Sequence, residues 1–400
     1  MKFSVLLPTR NRLAYLRHAV ESVLRQDYDD WELVVSDNDS EDDIAGYVAS
    51  LADSRIAYAR TPRFVPVTEN WNAALARSTG DYVIMLGDDD ALAPGYFSTL
   101  RRLVEVHGHP DVVYTGAYLY AYPGVMPGFP RGFLQPYGYA SFLRGADAPY
   151  VLPRAEATRV VREFAHFRVA YGFNMQFVFV SRAIVRALAG RGAFFQSPFP
   201  DYYAMNALFL AAERILVCPL PLVVIGVTPK SYGFYHANSR EAEGVAFLQG
   251  DGGGATNDRL ARVLLPGSNL NTSWLRSLET LRARFPGARA LRASDAHYRV
   301  MQMLYVYQHR YVTGNASAAD LDALRAALRP AERLACDALA GAVWALEQLT
   351  RRRLRHRAAE YVRRRLRQTP PWDAKPLEGA FADVGEVLDH LEGTRSPAPA

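Results

Sequence analysis

Short apolar runs alternate with amphipathic stretches along the first half of the chain. The runs at 2–7, 31–35 and 82–86 are compact and apolar, whereas 12–26 and 95–106 carry apolar residues at every third or fourth position. Compact runs are typical of buried strands, and the wider spacing is typical of helices that pack on one face. Strands that alternate with helices predict an α/β fold with a mainly parallel sheet. The same reasoning predicts further helices over 41–51, 68–77 and 202–212 and further strands over 55–59, 112–114, 175–180, 215–217 and 222–225.

The pattern changes in the second half of the chain. Residues 116–170 are rich in Tyr, Phe, Pro and Gly and predict irregular structure, and a glycine run at 250–254 predicts a break. From about residue 270 onward the apolar residues return to helical spacing. We therefore divide the chain into an α/β domain at 1–235, a flexible loop at 236–258, a helical C-terminal subdomain at 259–370, and a Pro-rich tail at 371–400 with little reason to be ordered.

Composition places the chain among ordinary globular proteins. Half of its 400 residues are hydrophobic and 22% are charged. No apolar run reaches the length that spans a membrane, and the N-terminus enters a strand without a secretory signal. The two cysteines, Cys218 and Cys336, lie far apart and lack metal-site spacing, as expected of reduced thiols. We therefore expect a cytoplasmic protein.

The net charge of +5 is unevenly distributed. Residues 351–367 hold nine arginines against one glutamate, with apolar residues on one side of the expected helix. A basic amphipathic helix can rest on anionic lipid, so this segment is a candidate for peripheral membrane contact. A surface helix that packs on its own domain remains the alternative. No nucleic-acid-binding module is recognisable, and we expect no nucleic-acid partner.

An acidic turn follows the apolar strand at 82–86. Gly87 is followed by three consecutive carboxylates, Asp88, Asp89 and Asp90. Successive like charges repel one another unless a cation neutralises them, and hard divalent cations prefer oxygen ligands. A solvated acidic turn that caps the next helix is the alternative. The position at the carboxyl end of a buried strand, where open α/β sheets bind ligands, favours the cation.

Two further carboxylates stand in comparable positions. Asp37 follows the strand at 31–35, and Asp201 directly precedes a predicted helix. Because the carboxyl ends of parallel strands share one edge, Asp37 and the acidic turn are expected to face the same crevice. A carboxylate there can accept hydrogen bonds from a ribose hydroxyl or a base N–H. The chain has neither a Gly-x-Gly-x-x-Gly loop after the first strand nor a P-loop, which argues against a dinucleotide fold and a P-loop NTPase.

Several of these segments together resemble family 2 glycosyltransferases. They are SVLLPTRNR at 4–12, AVESVLRQ at 19–26, WELVVSDNDS at 31–40, NWNAAL at 70–75 and GDYVIMLGDDD at 80–90. The resemblance is dense over roughly residues 3–110 and thinner to about 230. It implies the GT-A fold, a Rossmann-like nucleotide-binding half at about 1–115 joined to an acceptor-binding half at about 116–235.

The resemblance also implies a site for a nucleotide-diphosphate sugar. Pro8, Thr9 and Arg10 match the loop that packs around the base, Asp37 matches the carboxylate that reads it, and Asn72 matches a polar position near the donor. Arg10 stands where the family often has another residue. The full set of nucleotide-sugar candidates is Pro8, Thr9, Arg10, Arg12, Asp37, Asn72, Asp88 and Lys230, of which Lys230 would steady the diphosphate unless it is merely an exposed loop lysine.

The acidic turn matches the family's DxD motif, in which Mn²⁺ or Mg²⁺ bridges the protein and the donor diphosphate. The usual motif reads Asp-x-Asp-Asp, and in that register Gly87 replaces the first aspartate and Asp89 is the metal ligand. Read directly as Asp88-Asp89-Asp90, the motif makes Asp90 the ligand. All three aspartates therefore stay metal candidates.

Asp201 resembles the family's catalytic base, although Pro200 precedes it where the family usually has a glutamate. The alternative role of Asp201 is that of a helix N-cap. The resemblance implies a single displacement that inverts the anomeric centre while Asp201 takes the proton of the acceptor hydroxyl.

The sequence thus predicts an inverting, metal-dependent glycosyltransferase. The acceptor could be a saccharide, a lipid-linked molecule or a small molecule, and the oligomeric state stays open. One alternative is a sugar-nucleotide nucleotidyltransferase, which would want a glycine-rich loop after the first strand, whereas 8–12 holds no glycine. The other is a non-catalytic sugar- or nucleotide-binding protein.

Overall fold

The structure is a computed structural model that divides into two compact units. The first comprises 1–159, 171–251 and 374–400, and the second comprises 160–170 and 252–373. The domain boundaries drawn from the sequence stay a prediction. The residues that the structure describes are 1–126, 129–137, 140–196, 199–237, 243–244, 258–285, 287–288, 291, 294–313, 316–349 and 380–394.

A mixed sheet forms the centre of the first unit. Its strands in the described residues are β1 (Phe3–Thr9), β2 (Trp31–Asp37), β3 (Ile56–Arg60), β4 (Tyr82–Met85), β5 (Ala91–Leu92), β6 (Val112–Ala121), β7 (Phe133–Tyr137), β8 (Tyr150–Val151), β9 (Val178–Ser181) and β10 (Ile215–Val227). The order across the sheet is β3-β2-β1-β4-β9-β6-β10-β5, with β7 beside β6 and β8 beside β10. Strands β1 to β4 run parallel, whereas β9 runs antiparallel between β4 and β6.

Helices flank the sheet and make up most of the C-terminal part. In the described residues they are α1 (Leu13–Leu24), α2 (Ile44–Ser50), α3 (Val67–Arg77), α4 (Tyr96–Val106), α5 (Arg154–Ala165), α6 (Arg182–Ala189), α7 (Pro200–Ala211), α8 (Tyr232–Ala237), α9 (Asp258–Val263), α10 (Asn269–Arg284), α11 (Asp295–Gln308), α12 (Ala318–Ala327), α13 (Pro330–Leu349) and α14 (Val384–Thr394). The predicted α/β class with a mainly helical C-terminal region is confirmed, and the GT-A type stays a prediction. None of the described helices is both long and apolar enough to cross a membrane.

The centre of the sheet explains why one edge collects the polar residues. Strand β1 is buried along nearly its whole length, as expected of a parallel strand that is covered on both faces. Thr9 pairs in register with Asp37 of β2, and Leu6 pairs with Met85 of β4. The carboxyl ends of the three strands therefore meet at one edge, where polar groups can reach a ligand.

Two elements differ from the sequence prediction in the middle of the chain. Helix α5 forms at Arg154–Ala165, in the stretch expected to be irregular, and buries Ala157 and Phe164. Strand β10 runs unbroken over Ile215–Val227, where two short strands were expected. Its register with β6 shifts near Pro221, because proline lacks the N–H that a sheet ladder needs. The prolines interrupted the apolar pattern without ending the strand.

The prediction that the Pro-rich tail at 371–400 has little reason to be ordered is wrong in part, because helix α14 forms within it. Val384 and Val387 are fully buried. The Tyr120 hydroxyl donates to the Phe381 carbonyl at 2.8 Å, and Arg25 Nη1 lies 2.6 Å from Asp389 Oδ1. A short amphipathic helix thus lies beside the prolines and packs on the first unit. Residues 371–379 and 395–400 lie outside the described residues.

The second unit has its own aromatic and ionic contacts. Trp274 stacks on Phe164 at 4.8 Å and donates its indole N–H to the Phe164 carbonyl at 3.0 Å. Arg299 forms a bidentate pair with Glu332, with both hydrogen bonds at 2.7 Å. These hydrogen bonds lower the pKa of Glu332 to about 2. The Arg-rich segment 351–367 and most of the predicted loop 236–258 lie outside the described residues.

We expect Leu388→Ala to lower the free energy of unfolding of the protein by about 2–4 kcal/mol, because it leaves a cavity under helix α14. Leu388 is 2% exposed, whereas Leu334 is 74% exposed. Leu334→Ala is therefore the matched control and should change stability by less than about 0.5 kcal/mol. Denaturant titration of both variants measures this, and equal stability of the two would contradict the packing of α14.

Candidate active site

The acidic turn lies directly after β4, at the edge where β1 and β2 also end. The Leu86 amide continues the pairing of β4 with the Leu6 carbonyl at 2.8 Å, and the Asp90 amide closes the turn onto the Gly87 carbonyl at 3.2 Å. Asp88, Asp89 and Asp90 are all buried. A Cβ at position 87 would lie 2.4 Å from Asp90 Oδ2, so a side chain there would displace the Asp90 carboxylate from its present position.

Residues at the end of β1 hold Asp88. Thr9 Oγ1 donates to Asp88 Oδ2 at 2.8 Å, and Arg12 Nη1 lies 2.6 Å from Asp88 Oδ1. The same guanidinium nitrogen lies 3.5 Å from Asp89 Oδ2. Asn11 precedes this arginine with a φ of 52°, a left-handed conformation that asparagine tolerates better than most residues. The turn at Asn11 precedes Arg12, whose side chain is buried beside the carboxylates.

Residues at the end of β10 hold the other two carboxylates. The hydroxyls of Thr228 and Ser231 donate to Asp89 Oδ2, the first at 3.1 Å. The Gly226 amide donates to Asp90 Oδ1 at 2.9 Å, and the Gly87 amide donates to Asp90 Oδ2 at 3.0 Å. The acidic turn is therefore held by β1 on one side and by β10 on the other.

The charges in this cluster do not balance. Burial raises the pKa of Asp88, and the proximity of Asp89 adds to the rise, while Arg12 opposes it. Burial raises the pKa of Asp90 well above its usual value, and Asp89 again adds to this. Burial by itself would lower the pKa of Arg12, yet Asp88 and Asp89 raise it. One guanidinium faces three carboxylates, so an additional cation would be stabilised here.

The described residues contain no group of three or more His, Cys, Asp or Glu side chains that could hold a metal ion on its own. Five of the six carboxylate oxygens of the turn accept hydrogen bonds, and Asp89 Oδ1 accepts none from the described residues. Mg²⁺ commonly binds one or two carboxylates together with substrate phosphates. The residues present therefore fit an ion shared with a ligand, with Asp89 as the carboxylate that has a free oxygen.

Asp37 lies at the same edge with both carboxylate oxygens engaged. The Tyr58 hydroxyl donates to Oδ2 at 2.8 Å, and the Ser40 amide donates to Oδ1 at 2.9 Å. Arg60 Nη1 lies 3.9 Å from Oδ2. The side chain of Asp37 is fully buried. The predicted base-reading role of Asp37 stays a prediction.

The other nucleotide-sugar candidates occupy varied positions. Pro8 pairs with Ser36 between β1 and β2, and the Arg10 guanidinium lies 3.7 Å from the centre of the Phe64 ring. Lys230 Nζ donates to the Asn11 carbonyl at 2.7 Å, which joins the segment after β10 to the loop after β1.

Asn72 is engaged elsewhere in the first unit. Its amide nitrogen donates to the carbonyls of Thr68 at 2.8 Å and Phe195 at 2.9 Å, and the Phe195 amide donates to its Oδ1 at 3.2 Å. The structure therefore places Asn72 against the segment that leads to α7. Its predicted place near the donor stays a prediction.

Asp201 lies in the first turn of α7, directly after Pro200. Its Oδ1 is buried and has no hydrogen-bond partner among the described residues, and burial raises the pKa of Asp201 to about 7. The Phe199 ring contacts the Tyr232 ring at 5.1 Å, and Tyr232 directly follows Ser231, which bonds Asp89. These contacts bring the start of α7 to the same segment that holds the acidic turn.

The sequence did not identify three residues that hold this site, namely Gly226, Thr228 and Ser231. A Cβ at position 226 would lie 1.9 Å from the Asp89 carbonyl oxygen, so only glycine permits this approach. A glycine within an apolar strand was the available signal, since such glycines often mark close approach of another backbone. No pattern in the sequence linked the two hydroxyls to Asp89, which lies far from them along the chain.

We expect Arg12→Met to lower the free energy of unfolding by about 3–5 kcal/mol, because it leaves the Asp88 charge buried without its cation. The double variant Arg12→Met with Asp88→Asn removes that charge and should recover more than half of the loss. Thermal and denaturant unfolding measure both. Equal destabilisation of the single and double variants would show that the ion pair is not the reason for the loss.

Residues 4–143 match the family model described as glycosyl transferase family 2. A Campylobacter jejuni protein named GalNAc(5)-diNAcBac-PP-undecaprenol beta-1,3-glucosyltransferase is 39% identical over 104 residues, which are 25% of this chain and 34% of that protein. An Escherichia coli protein named UDP-Glc:alpha-D-GlcNAc-diphosphoundecaprenol beta-1,3-glucosyltransferase WfgD is 32% identical over 87 residues, 22% of this chain and 34% of that protein.

Among solved structures, S. aureus TarS 1-349 aligns over 82% of this chain and 90% of its own, with a TM-score of 0.45 and 18% identity. The matched segments span about a third of the length of the two curated relatives. The match to the family model includes β1 from its second residue onward, all of β2 and the complete acidic turn. Residues 4–143 of this chain are thus similar to the glycosyl transferase family 2 model.

Proposed function

We propose that this chain is an inverting, metal-dependent glycosyltransferase that moves a sugar from a nucleotide-diphosphate donor to an acceptor hydroxyl. The observation that carries the proposal is the buried acidic turn at the carboxyl edge of the sheet, where three carboxylates face one guanidinium. A diphosphate with its cation suits this position, because the cation neutralises the excess charge on both sides. The match of residues 4–143 to the family model supports the same reaction class.

The donor would lie along the edge formed by β1, β2 and β4. Pro8, Thr9 and Arg10 border this edge with Asp37, and Lys230 is held at the loop after β1 by the Asn11 carbonyl. The lysine ammonium is a mobile point charge suited to a phosphate oxygen. The name of the E. coli relative specifies UDP-Glc, and both relatives' names specify undecaprenol-diphosphate acceptors. A UDP-sugar and a lipid-linked saccharide are therefore the first donor and acceptor to test.

Asp89 would hold the Mn²⁺ or Mg²⁺ ion through the oxygen that accepts no hydrogen bond from the described residues. Asp88 is neutralised by Arg12, and Asp90 is held by two backbone amides. This choice favours the register in which Gly87 replaces the first aspartate of the motif. When bound, the ion stabilises the negative charge that develops on the departing nucleoside diphosphate.

Asp201 would act as the general base. A base works best when its pKa lies near the operating pH, and burial brings the pKa of Asp201 to about 7. As the acceptor oxygen attacks the anomeric carbon, its proton passes to the Asp201 carboxylate while the bond to the donor phosphate breaks. Attack from the side opposite the leaving group inverts the anomeric centre.

We expect the purified chain to hydrolyse or bind one nucleotide-sugar class in a metal-dependent manner. The measurement is nucleoside diphosphate release from UDP-, GDP- and dTDP-sugars with Mn²⁺, with and without a chelator. Asp89→Asn should weaken Mn²⁺-dependent donor binding at least about tenfold, because second- and first-sphere ligands commonly contribute that much. No turnover together with no metal-dependent nucleotide binding would refute the proposed function.

We expect Asp201→Asn to lower kcat by about 10²- to 10⁴-fold, the usual contribution of a general base, while the donor Kd changes less than twofold. In the unmodified protein the rate should rise about tenfold per pH unit up to about pH 7 and then level off, because only the ionised carboxylate accepts a proton.

The matched control is Asp322→Asn, at an exposed aspartate on α12, which should transfer sugar at the unmodified rate. If Asp201→Asn keeps the same rate and pH profile as this control, Asp201 is not the base.

A further inference from the structure

Helix α14 lies along helix α1 in the first unit. His18 Nε2 lies 3.9 Å from Asp383 Oδ2 at the start of α14, and Arg25 Nη1 lies 2.6 Å from Asp389 Oδ1 further along it. At 1.5 Å per residue, the stretch from His18 to Arg25 extends over about 10 Å of α1. Helix α14 is therefore attached to α1 at both ends of this stretch.

Three tyrosines join α1, β6 and the segment that leads into α14. Tyr120 and Tyr122 lie at the carboxyl end of β6, with ring centres 4.7 Å apart, and the ring of Tyr15 on α1 meets Tyr122 edge-on at 5.4 Å. The Tyr120 side chain is fully buried, and its hydroxyl donates to the Phe381 carbonyl at 2.8 Å. We call Tyr15, Tyr120 and Tyr122 the tyrosine cluster.

Tyr122 is the member of the cluster that faces both α14 and the acidic turn. Burial raises the pKa of its hydroxyl, the Val384 amide of α14 lowers it, and Tyr120 and Asp89 add to the rise. The hydroxyl therefore lies within electrostatic reach of both the start of α14 and the acidic turn.

The backbone of Tyr122 also holds the strand end that carries Thr228. The Tyr122 amide donates to the Val227 carbonyl at 3.1 Å. Val227 directly precedes Thr228, whose hydroxyl donates to Asp89 Oδ2 at 3.1 Å. Displacement of Tyr122 would therefore move Thr228 away from Asp89.

Tyr15 makes the equivalent link on the other side of the acidic turn. The Tyr15 amide donates to the Arg12 carbonyl at 3.0 Å, and Arg12 Nη1 lies 2.6 Å from Asp88 Oδ1. The residues that hold Asp88 and Asp89 are thus both bonded to members of the tyrosine cluster.

Helix α14 depends on these contacts for its own order. It has 11 residues, and isolated helices shorter than about 12–15 residues are marginal in water. Its buried side chains are Val384, Val387 and Leu388, so docking supplies the apolar burial that keeps it helical. Short segments of this kind can open locally without unfolding of the whole domain.

We propose that helix α14 is a positioning element for the acidic turn. While α14 is docked, the tyrosine cluster keeps Thr228 on Asp89 and Arg12 on Asp88, and the turn loses this order when α14 undocks. The cation and the donor diphosphate would therefore bind the docked form more tightly. This last step rests on the proposed function, whereas the coupling of α14 to the turn does not.

The test is hydrogen–deuterium exchange of the full chain without ligand, measured by mass spectrometry in peptides that contain residues 86–90. Leu388→Ala weakens docking because it removes a buried side chain of α14. We expect it to accelerate exchange in these peptides at least about tenfold, because the turn opens together with α14.

The matched control is Leu324→Ala, which makes the same change at a fully buried leucine of α12 in the second unit. It should leave exchange at 86–90 within about twofold of the unmodified chain. Equal acceleration in this control would overturn the proposal, because it would assign the effect to a general loss of stability.

Tyr120→Phe is a milder second variant, since it keeps the ring and removes only the hydroxyl that bonds the Phe381 carbonyl. Loss of one hydrogen bond should accelerate exchange at 86–90 by about two- to tenfold. Thermal melting checks that all variants remain folded. Unchanged exchange at 86–90 in both Leu388→Ala and Tyr120→Phe would overturn the coupling.

UDP with Mn²⁺ supplies the reciprocal measurement, because coupling between two sites acts in both directions. At a UDP concentration about ten times its Kd, exchange of residues 384–394 should slow by up to about tenfold. UDP binding that leaves this exchange unchanged would overturn the link between α14 and the donor. Failure of UDP to bind would count against the proposed function, and the ligand-free comparison would still decide the coupling.

Discussion

The buried pair of Arg12 and Asp88 is the interaction on which the rest of the site depends. The chain places three consecutive carboxylates at the end of an interior strand, where mutual repulsion and loss of water both raise their free energy. The guanidinium at the end of β1 neutralises Asp88 and lies close to Asp89. Because the pair joins the ends of β1 and β4, it also fixes the edge of the sheet at which these strands end.

Strand β10, which comes much later in the chain, holds the other side of the acidic turn. Gly226 lets its own amide reach Asp90, and Thr228 and Ser231 hold one oxygen of Asp89. The acidic turn is thereby oriented by contacts within the chain, which would limit the reorganisation that the proposed donor binding requires. The proposed base, Asp201, has a different environment from the acidic turn. Burial raises the pKa of Asp201, and no cation lowers it. Two kinds of carboxylate environment thus serve two different proposed roles.

Much of the fold was predictable because strongly periodic segments decide it locally. The strands around β1 and the helices between them appear within a few residues of the predicted positions. Helix α5 was missed because aromatic, glycine and proline residues surround its short apolar pattern, and α14 was missed because it lies beside a Pro-rich stretch. In both cases tertiary packing, through buried Phe164 and Val387, stabilises a helix whose local signal is weak.

By itself, the sequence determined the resemblance to family 2 glycosyltransferases, the α/β architecture and the acidic turn at the end of β4, since these depend on periodicity and on motifs of neighbouring residues. It also predicted that Asp37 lies at the same edge, because the carboxyl ends of parallel strands share one edge of the sheet. Only the tertiary structure decided which partner each carboxylate has. Apart from the Gly87 amide, those partners come from the end of β1 and the end of β10, which are distant in the chain, and no local pattern encodes their hydrogen bonds to the carboxylates. Asp89 Oδ1 accepts no hydrogen bond from the described residues because of that packing, and the proposed choice of Asp89 as the metal ligand rests on it.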